Sequence, residues 1–158
     1  MRLLIVAVGR PGRLFAGPIA EYERRARRYW DLEVVEVREE RAGRGRNEEQ
    51  LRAAEAERML ERIPAGLDLV ALTRVGEAWS STRLANYIEG LAVGSRPGAV
   101  FLIGGAFGLS SGLLARADRR LSLSPLTLPH EFARLLLVEQ IYRAGTIVRR
   151  EPYHKARD

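Results

Sequence analysis

The sequence contains no cysteine and only two histidines, His130 and His154, among its 158 residues. The lack of cysteine excludes disulfide bonds and thiolate metal sites, and it suits a reducing cytoplasm. Two histidines are too few for a histidine-rich metal site, so we expect no bound metal. No apolar run reaches the length of a membrane span, and RLLIVAVG near the start is too short for a secretory signal. We therefore expect a cytoplasmic protein without a membrane partner.

Three common motifs of nucleotide-binding and nucleophilic enzymes are also missing. GxGxxG does not follow the first predicted strand, and GxxxxGK followed by Ser or Thr does not occur. Their absence disfavours a classical dinucleotide fold and a P-loop enzyme. GxSxG is absent as well, so no Ser/His/Asp nucleophile set has a recognisable context.

Lysine is nearly absent, since of the 26 basic residues only Lys155 is a lysine and the rest are arginines. The formal net charge of +6 predicts a polyanionic partner, with a plain compositional bias toward arginine as the alternative explanation. The loop at 39–46, EERAGRGR, is a candidate phosphate contact. The arginines of a helix predicted at 18–30 form either an RNA-binding face or a solvated surface.

Apolar strands alternate with helical patterns along the chain. This alternation predicts one α/β domain, spanning residues 1–158, with a mostly parallel sheet and helices on both faces. The predicted strands are 2–8, 32–37, 67–72, 99–103 and 121–124. The predicted helices are 18–30, 47–63, 80–92, a short one from 110, and 129–148, with Asn47 and Gln50 forming a capping box.

Open parallel sheets bind ligands at the carboxyl ends of their strands. Three predicted strands end in a similar way, at Leu72-Thr73, at Gly104-Gly105 and at Ser124-Pro125. The glycine-rich segment 104–108, GGAFG, allows a ligand to approach the backbone. Its alternative explanation is a strand-to-helix turn, which needs one glycine rather than three.

The helix predicted at 129–148 is apolar on more than one side, so we expect its own domain and a partner to cover it. Glu139 and Arg143 lie one helical turn apart, which predicts either a surface ion pair or the polar face of a site. Pro152 ends the helical pattern. The polar segment beyond it is either a solubilising end or a functional one.

The run LSLSPLTLPH at 121–130, the triplet Tyr142-Arg143-Ala144 and the final PYHK resemble the RlmH family of SPOUT-class methyltransferases. RLLIVAVG, the LIGG of 102–105 and the total length match as well, so the resemblance covers the whole chain. It implies a SPOUT-type fold with a C-terminal trefoil knot and S-adenosyl-L-methionine as cofactor. It also implies a homodimer that methylates N3 of a pseudouridine in 23S rRNA of the ribosome.

The resemblance also assigns site residues. It implies cofactor contacts at Leu72, Gly105, Leu123, Ser124, Pro125, Leu126, Thr127 and Leu128, and for each leucine the alternative is core packing. The candidate catalytic residues are Arg143, Tyr153, His154 and Lys155, among which the sequence does not assign a base.

This chain departs from the family at two places. Ala106-Phe107 replace the family's usual Pro-Glu, which removes an acidic contact, and Lys155 stands where arginine is common. Two alternative functions stay open: the same fold acting on another RNA such as tRNA, or a non-catalytic ribosome-binding protein.

Overall fold

The computed structural model describes residues 1–43 and 45–155, apart from the side chain of His154. Within this part of the chain, five parallel strands form one sheet in the order β2-β1-β4-β3-β5. The strands are β1 (Arg2–Val8), β2 (Asp31–Val37), β3 (Asp68–Ala78), β4 (Gly98–Ile103) and β5 (Arg119–Ser122). The helices are α1 (Arg13–Ala26), α2 (Glu48–Leu60), α3 (Ser81–Val93), α4 (Ser111–Arg116) and α5 (His130–Val148), followed by a 3₁₀ turn at Pro152–His154.

Helices cover both faces of the sheet, which confirms the predicted α/β architecture. Successive strand residues point to opposite faces and therefore enter two separate cores. On one face, Leu3 and Phe101 pack against α1, α3 and α5. On the other face, Leu4 packs with Met59 of α2 and Leu113 of α4. Burial on both faces explains the near-continuous apolar runs of β1 and β4.

Helix α5 packs against the sheet and against both α1 and α3. This position explains, within a single chain, why the helix is apolar on several sides. Buried Arg134 pairs with Glu23 of α1 at 2.8 Å and with Glu36 of β2 at 2.9 Å. Phe132 and Leu136 remain 44% and 38% exposed. The uncovered part of α5 is thus narrower than the sequence pattern indicated.

Helix α1 begins at Arg13, five residues before the predicted start. The predicted start at residue 18 was wrong, because Pro18 lies inside the helix. The preceding Gly12 donates its N–H to Glu131 of α5 at 2.9 Å. A contact between distant elements therefore supports this helix start, and local sequence does not reveal it.

Strand β3 continues to Ala78, six residues beyond the predicted end at residue 72. Its pairing with β5 is irregular, since Leu72 and Glu77 both lie opposite Leu121. The extra residues form a bulge, after which pairing resumes. The predicted capping box of Asn47 and Gln50 is confirmed, and the implied trefoil knot stays a prediction.

Candidate active site

A cavity of about 490 Å³ opens at the carboxyl edge of the sheet, where β3, β4 and β5 end. Small-molecule sites typically measure about 300–1,000 Å³. Seven of the eight residues assigned to the cofactor by resemblance line this cavity: Leu72, Gly105, Leu123, Ser124, Leu126, Thr127 and Leu128. Pro125 lies between two lining residues without lining the cavity itself. Residues far apart in sequence are therefore brought around one space.

The segment 123–128 forms one wall of the cavity because strand pairing stops before it. The Ser122 hydroxyl lies 3.1 Å from the carbonyl oxygen of Arg74 and 3.0 Å from that of Ser124. The N–H of Leu126 donates to the Ser124 hydroxyl at 3.0 Å. These hydroxyl groups bond the backbone locally where sheet hydrogen bonds end. Strand β5 consequently ends at Ser122, two residues before the predicted end.

The bulge of β3 forms a second wall. Thr73 and Arg74 lie in the bulge, and both line the cavity. Gly76 closes the bulge against β5, where a Cβ would lie 2.7 Å from the backbone carbonyl of Arg120. The close approach requires glycine here, and the bulge in turn brings the exposed Arg74 to the cavity.

The glycine segment 104–108 is a tight turn, in which Gly108 donates its N–H to the Gly105 carbonyl at 3.0 Å. A Cβ on Gly104 would lie 2.5 Å from the carbonyl carbon of Gly108, whose own φ is +79°. A Cβ on Gly105 would lie 3.1 Å from Val8 and 3.2 Å from a carboxylate oxygen of Glu55. The turn itself therefore requires Gly104 and Gly108, which is more than the single glycine that the sequence argument assigned to it, whereas a side chain at position 105 would have to displace Val8 or Glu55 slightly.

Glu55 of α2 is a buried carboxyl behind this turn, with 5% of its surface exposed. It accepts a hydrogen bond from the Glu40 N–H at 3.1 Å. Burial raises the pKa of Glu55 above its ordinary value, because the charged form loses its hydration. The carboxyl group behind Gly105 therefore loses its proton at a higher pH than an exposed glutamate does.

Two of the proposed catalytic side chains, Arg143 and Tyr153, both contact Glu139 of α5, and neither of them lines the cavity. The Arg143 guanidinium pairs with Glu139 at 2.7 Å, so the two residues do form an ion pair, although it is partly buried rather than on the helix surface. The Tyr153 phenol donates to the same carboxylate at 3.0 Å, and Arg143 lies over the Tyr153 ring at 4.9 Å. Burial, together with hydrogen bonds to Tyr22 and Glu139, raises the pKa of Tyr153 above its ordinary value. Its phenol is therefore a donor at neutral pH.

The segment that follows α5 packs against the rest of the chain. Glu151 donates its N–H to the Thr146 carbonyl at 2.8 Å and accepts a hydrogen bond from the Tyr29 phenol. The Tyr153 ring lies 4.6 Å from that of Tyr142. Lys155 is exposed, and the side chain of His154 lies outside the described part of the structure. Aromatic contacts thus hold a segment that looked too polar to pack.

Sequence reasoning assigned no place in the cavity to several of its lining residues, among them Arg74 and His130. His130 was considered as a metal ligand and as the last residue of the 121–130 motif, but not as part of the cofactor site. It is half-buried, and its Nε2 lies 3.6 Å from the position that a Cβ on Gly9 would take. A usable signal was present, because His130 follows Pro129 directly after the proposed cofactor segment.

Among the residues that the structure describes, no cluster of three or more potential metal-ligating side chains occurs. None of the described helices is long and apolar enough to cross a membrane.

Known proteins resemble this chain over nearly its full length. A family described as "Predicted SPOUT methyltransferase" matches residues 1–154. The Ribosomal RNA large subunit methyltransferase H of Rubrobacter xylanophilus is 48% identical over 158 residues, covering 97% of this chain and 98% of that protein. The protein of the same name from Gemmatimonas aurantiaca is 46% identical over 156 residues, covering 98% of this chain and all of that protein.

The fold is also shared with a solved structure, that of a probable methyltransferase from Bordetella pertussis Tohama I. It aligns with a TM-score of 0.53 at 16% identity, covering 91% of this chain and 96% of that chain. Because the family match and the relatives span nearly the whole sequence, the chain belongs to the SPOUT methyltransferase family.

Proposed function

We propose that this protein transfers the methyl group of S-adenosyl-L-methionine to N3 of a pseudouridine in 23S rRNA. The observation that carries the proposal is one cavity lined by seven of the assigned cofactor residues, in a chain whose full-length relatives are named ribosomal RNA large subunit methyltransferase H. The formal net charge of +6 supports a nucleic-acid substrate. The proposal includes the trefoil knot of the SPOUT fold and a cytoplasmic location.

The cavity fits S-adenosyl-L-methionine in size and in chemistry. Leu72, Leu123 and Leu128 offer apolar walls for an adenine ring, and the backbones of 104–108 and 123–128 offer N–H and C=O groups for its edge. Bound there, the cofactor supplies a methyl group already activated by its sulfonium. The protein then has to align donor and acceptor, which lowers the entropic part of the barrier.

The acceptor nitrogen must also lose a proton while negative charge develops on the neighbouring carbonyl oxygens. Arg143 suits this charge because it stays protonated, its pKa being raised by its hydrogen bond to Glu139. Tyr153 suits it as a neutral donor. His154 and Lys155 complete the proposed catalytic set, and the base among these groups stays unassigned.

A homodimer would bring these groups to a cavity that they do not line within one chain. Leu14 of α1 is 78% exposed, and Phe132 and Leu136 of α5 are 44% and 38% exposed. Phe15 packs edge-on against Phe132 with ring centroids 4.9 Å apart. This apolar strip borders the cavity, because α5 begins with the cavity residue His130. We propose that a second copy covers the strip and presents its C-terminal segment to this cavity.

The test uses purified protein, S-adenosyl-L-methionine and ribosomes from a strain that lacks its own enzyme. Mass spectrometry of the rRNA should detect one added methyl group on a pseudouridine, with a reaction lacking the cofactor as control. If tRNA is methylated and rRNA is not, the substrate is tRNA, and the alternative of the same fold acting on another RNA is correct. Calorimetry that detects no cofactor binding would favour the non-catalytic ribosome-binding protein.

A further inference from the structure

The arginines of this protein differ in whether they have acidic partners. Many lie in ion pairs, among them Arg24 and Arg25 with Glu21. Three others, Arg10, Arg38 and Arg41, are exposed and form no ion pair with any residue that the structure describes. These three residues are called the edge arginines below. A purely compositional excess of arginine does not explain where they lie.

The edge arginines lie at the carboxyl edge of the sheet, at which the cavity also opens. Arg38 directly follows β2, Arg41 lies three residues further along the same loop, and Arg10 follows β1 by two residues. Val8 pairs in register with Val37, and Gly9 donates its N–H to the Val37 carbonyl at 2.8 Å. Strands β1 and β2 therefore end side by side, and the loops that carry Arg10 and Arg38 both begin at the carboxyl edge of the sheet.

The loops that carry the edge arginines are held in place. Gly12 donates its N–H to Glu131 at 2.9 Å, which ties the loop of Arg10 to the first turn of α5, beside the cavity residue His130. Arg58 donates to the Arg38 carbonyl at 2.9 Å and so holds the next loop. The main chain is fixed relative to the cavity while the guanidinium groups stay exposed.

The acidic residues near these loops do not cancel the positive charge. Glu40 pairs with both Arg46 and Arg58, so one carboxylate there meets two guanidinium groups. Three further carboxylates lie at these loops: Glu39, Glu55, which accepts the Glu40 N–H, and Glu131, which accepts the Gly12 N–H. Together with Arg46 and Arg58, the edge arginines make five positive charges against four carboxylates, which leaves this part of the surface with an excess of positive charge. A positive surface next to a cavity attracts a polyanionic substrate toward it.

Helix electrostatics explain a different set of arginines. Arg116 lies in the last turn of α4, and Arg28 and Arg62 follow the ends of α1 and α2. Positive charge there complements the negative end of the helix dipole. These three lie at the opposite edge of the sheet, before the next strand begins. The edge arginines lie instead in the loops before α1 and α2, so they are not explained as charges at the negative end of a helix dipole.

We propose that the edge arginines bind phosphates of the substrate RNA and hold the strand across the carboxyl edge, so that the target nucleotide reaches the cavity. The proposal rests on the proposed RNA methyltransferase function. A guanidinium group presents paired donors that match phosphate oxygens. Such contacts fix the register of the strand without reading its bases.

The experiment compares two full-length variants that lose the same charge. One carries Arg10→Gln, Arg38→Gln and Arg41→Gln, and its matched control changes Arg28, Arg62 and Arg116 to Gln. The affinity for a single-stranded RNA with the sequence of the rRNA target is measured at several salt concentrations. Losing three phosphate contacts should make the slope of log affinity against log salt shallower by about 2, at about 0.7 per contact. The control should keep the wild-type slope.

Turnover separates RNA positioning from chemistry. With ribosomes as substrate, the edge variant should show a higher KM while its cofactor affinity, measured by calorimetry, stays at the wild-type value. A variant with lysine at the three edge positions should keep most of the slope, because the charge is retained. Single glutamine substitutions, each expected to remove about 0.7 of slope, replace the triple variant if it does not fold.

Equal slopes for the edge variant and its control would overturn the proposal, as would an absence of RNA binding by the wild-type protein. The proposed function fails separately. If the wild-type protein leaves rRNA unmethylated while the salt slopes of the edge variant and its control still differ, the edge arginines bind RNA but the proposed activity is wrong. If rRNA is methylated and the two salt slopes agree, the proposed activity is correct but the edge arginines do not bind RNA phosphates.

Discussion

The phenol of Tyr153 donates a 3.0 Å hydrogen bond to Glu139, and this bond joins the C-terminal segment to the middle of α5. The same carboxylate pairs with Arg143 at 2.7 Å. Two proposed catalytic side chains therefore share one acceptor. Removing the charge of Glu139 should loosen both without touching the cavity.

Glu139→Gln should lower the rate of methyl transfer at least about tenfold, since small displacements of catalytic groups are costly. Cofactor affinity measured by calorimetry should stay unchanged, because Glu139 does not line the cavity. Glu89→Gln, at an exposed position of α3, is the control and should keep the wild-type rate. Tyr153→Phe should likewise lower the rate more than it weakens cofactor binding.

Deleting residues 151–158 should abolish methyl transfer and leave dimerisation and cofactor binding near normal. The deletion removes Tyr153 and the hydrogen bond between Glu151 and Tyr29, both outside the cavity. Wild-type methylation of ribosomes by the truncated protein would show that the segment is not catalytic.

Leu126→Ala tests the cofactor wall without disturbing the fold. Leu126 is 72% exposed in the free chain, so its truncation should leave the free energy of unfolding within about 0.5 kcal/mol of wild type. A bound ligand would cover it, so cofactor affinity should fall about tenfold, as expected for losing about 1.4 kcal/mol of apolar contact. Val93→Ala, at an 82% exposed position, should change neither quantity. Unchanged cofactor affinity in Leu126→Ala would remove this residue from the site.

Gly105→Val should weaken cofactor binding strongly and also lower the free energy of unfolding by about 1–3 kcal/mol. The new side chain would press on Val8 and Glu55, which lie within 3.2 Å of its Cβ position. Gly90→Ala, in helix α3 with open space around it, should instead be neutral or stabilising. Wild-type binding by Gly105→Val would reduce the 104–108 turn to a structural role.

Leu136→Glu should convert the proposed dimer into a monomer, because a carboxylate would replace an apolar side chain of the strip that the second copy covers. Sedimentation at micromolar concentration measures the change. Val93→Glu adds the same charge at an exposed position of α3 and should leave the dimer intact. A stable, folded wild-type monomer of 17.7 kDa would contradict the dimer itself.

Glu55→Gln should raise the free energy of unfolding relative to wild type at pH 7 and lose this gain at pH 4. Because burial raises the pKa of Glu55 above 4.5, ionising it weakens the folded state as the pH rises through its folded-state pKa. Glutamine carries no charge and keeps an oxygen to accept the Glu40 N–H. Urea unfolding of both proteins at the two pH values gives the difference, and Glu57→Gln on the exposed side of α2 is the control. A gain that is the same at both pH values would contradict the raised pKa.

Local patterns in the sequence were enough for much of the fold. The apolar run of β1 and the capping box at Asn47 were predicted correctly, because burial on both faces and helix capping depend on residues close together in the chain. The pair of Glu139 and Arg143 belongs to the same class, since one helical turn separates them. The composition of the cavity was assigned from family resemblance rather than from spacing.

The tertiary structure alone decided which distant groups meet. The order of strands β4, β3 and β5 brings Leu72, Gly105 and Leu123 around one cavity, and no local pattern encodes strand order. The bond from Gly12 to Glu131 joins residues 119 positions apart and accompanies a start of α1 that local propensity misplaced. The packing of α5 on the sheet likewise decides that Arg143 and Tyr153 lie away from the cavity, which their sequence positions do not reveal. Where a helix packs on the sheet depends on the summed burial of the whole chain, whereas its sequence determines only that it is a helix.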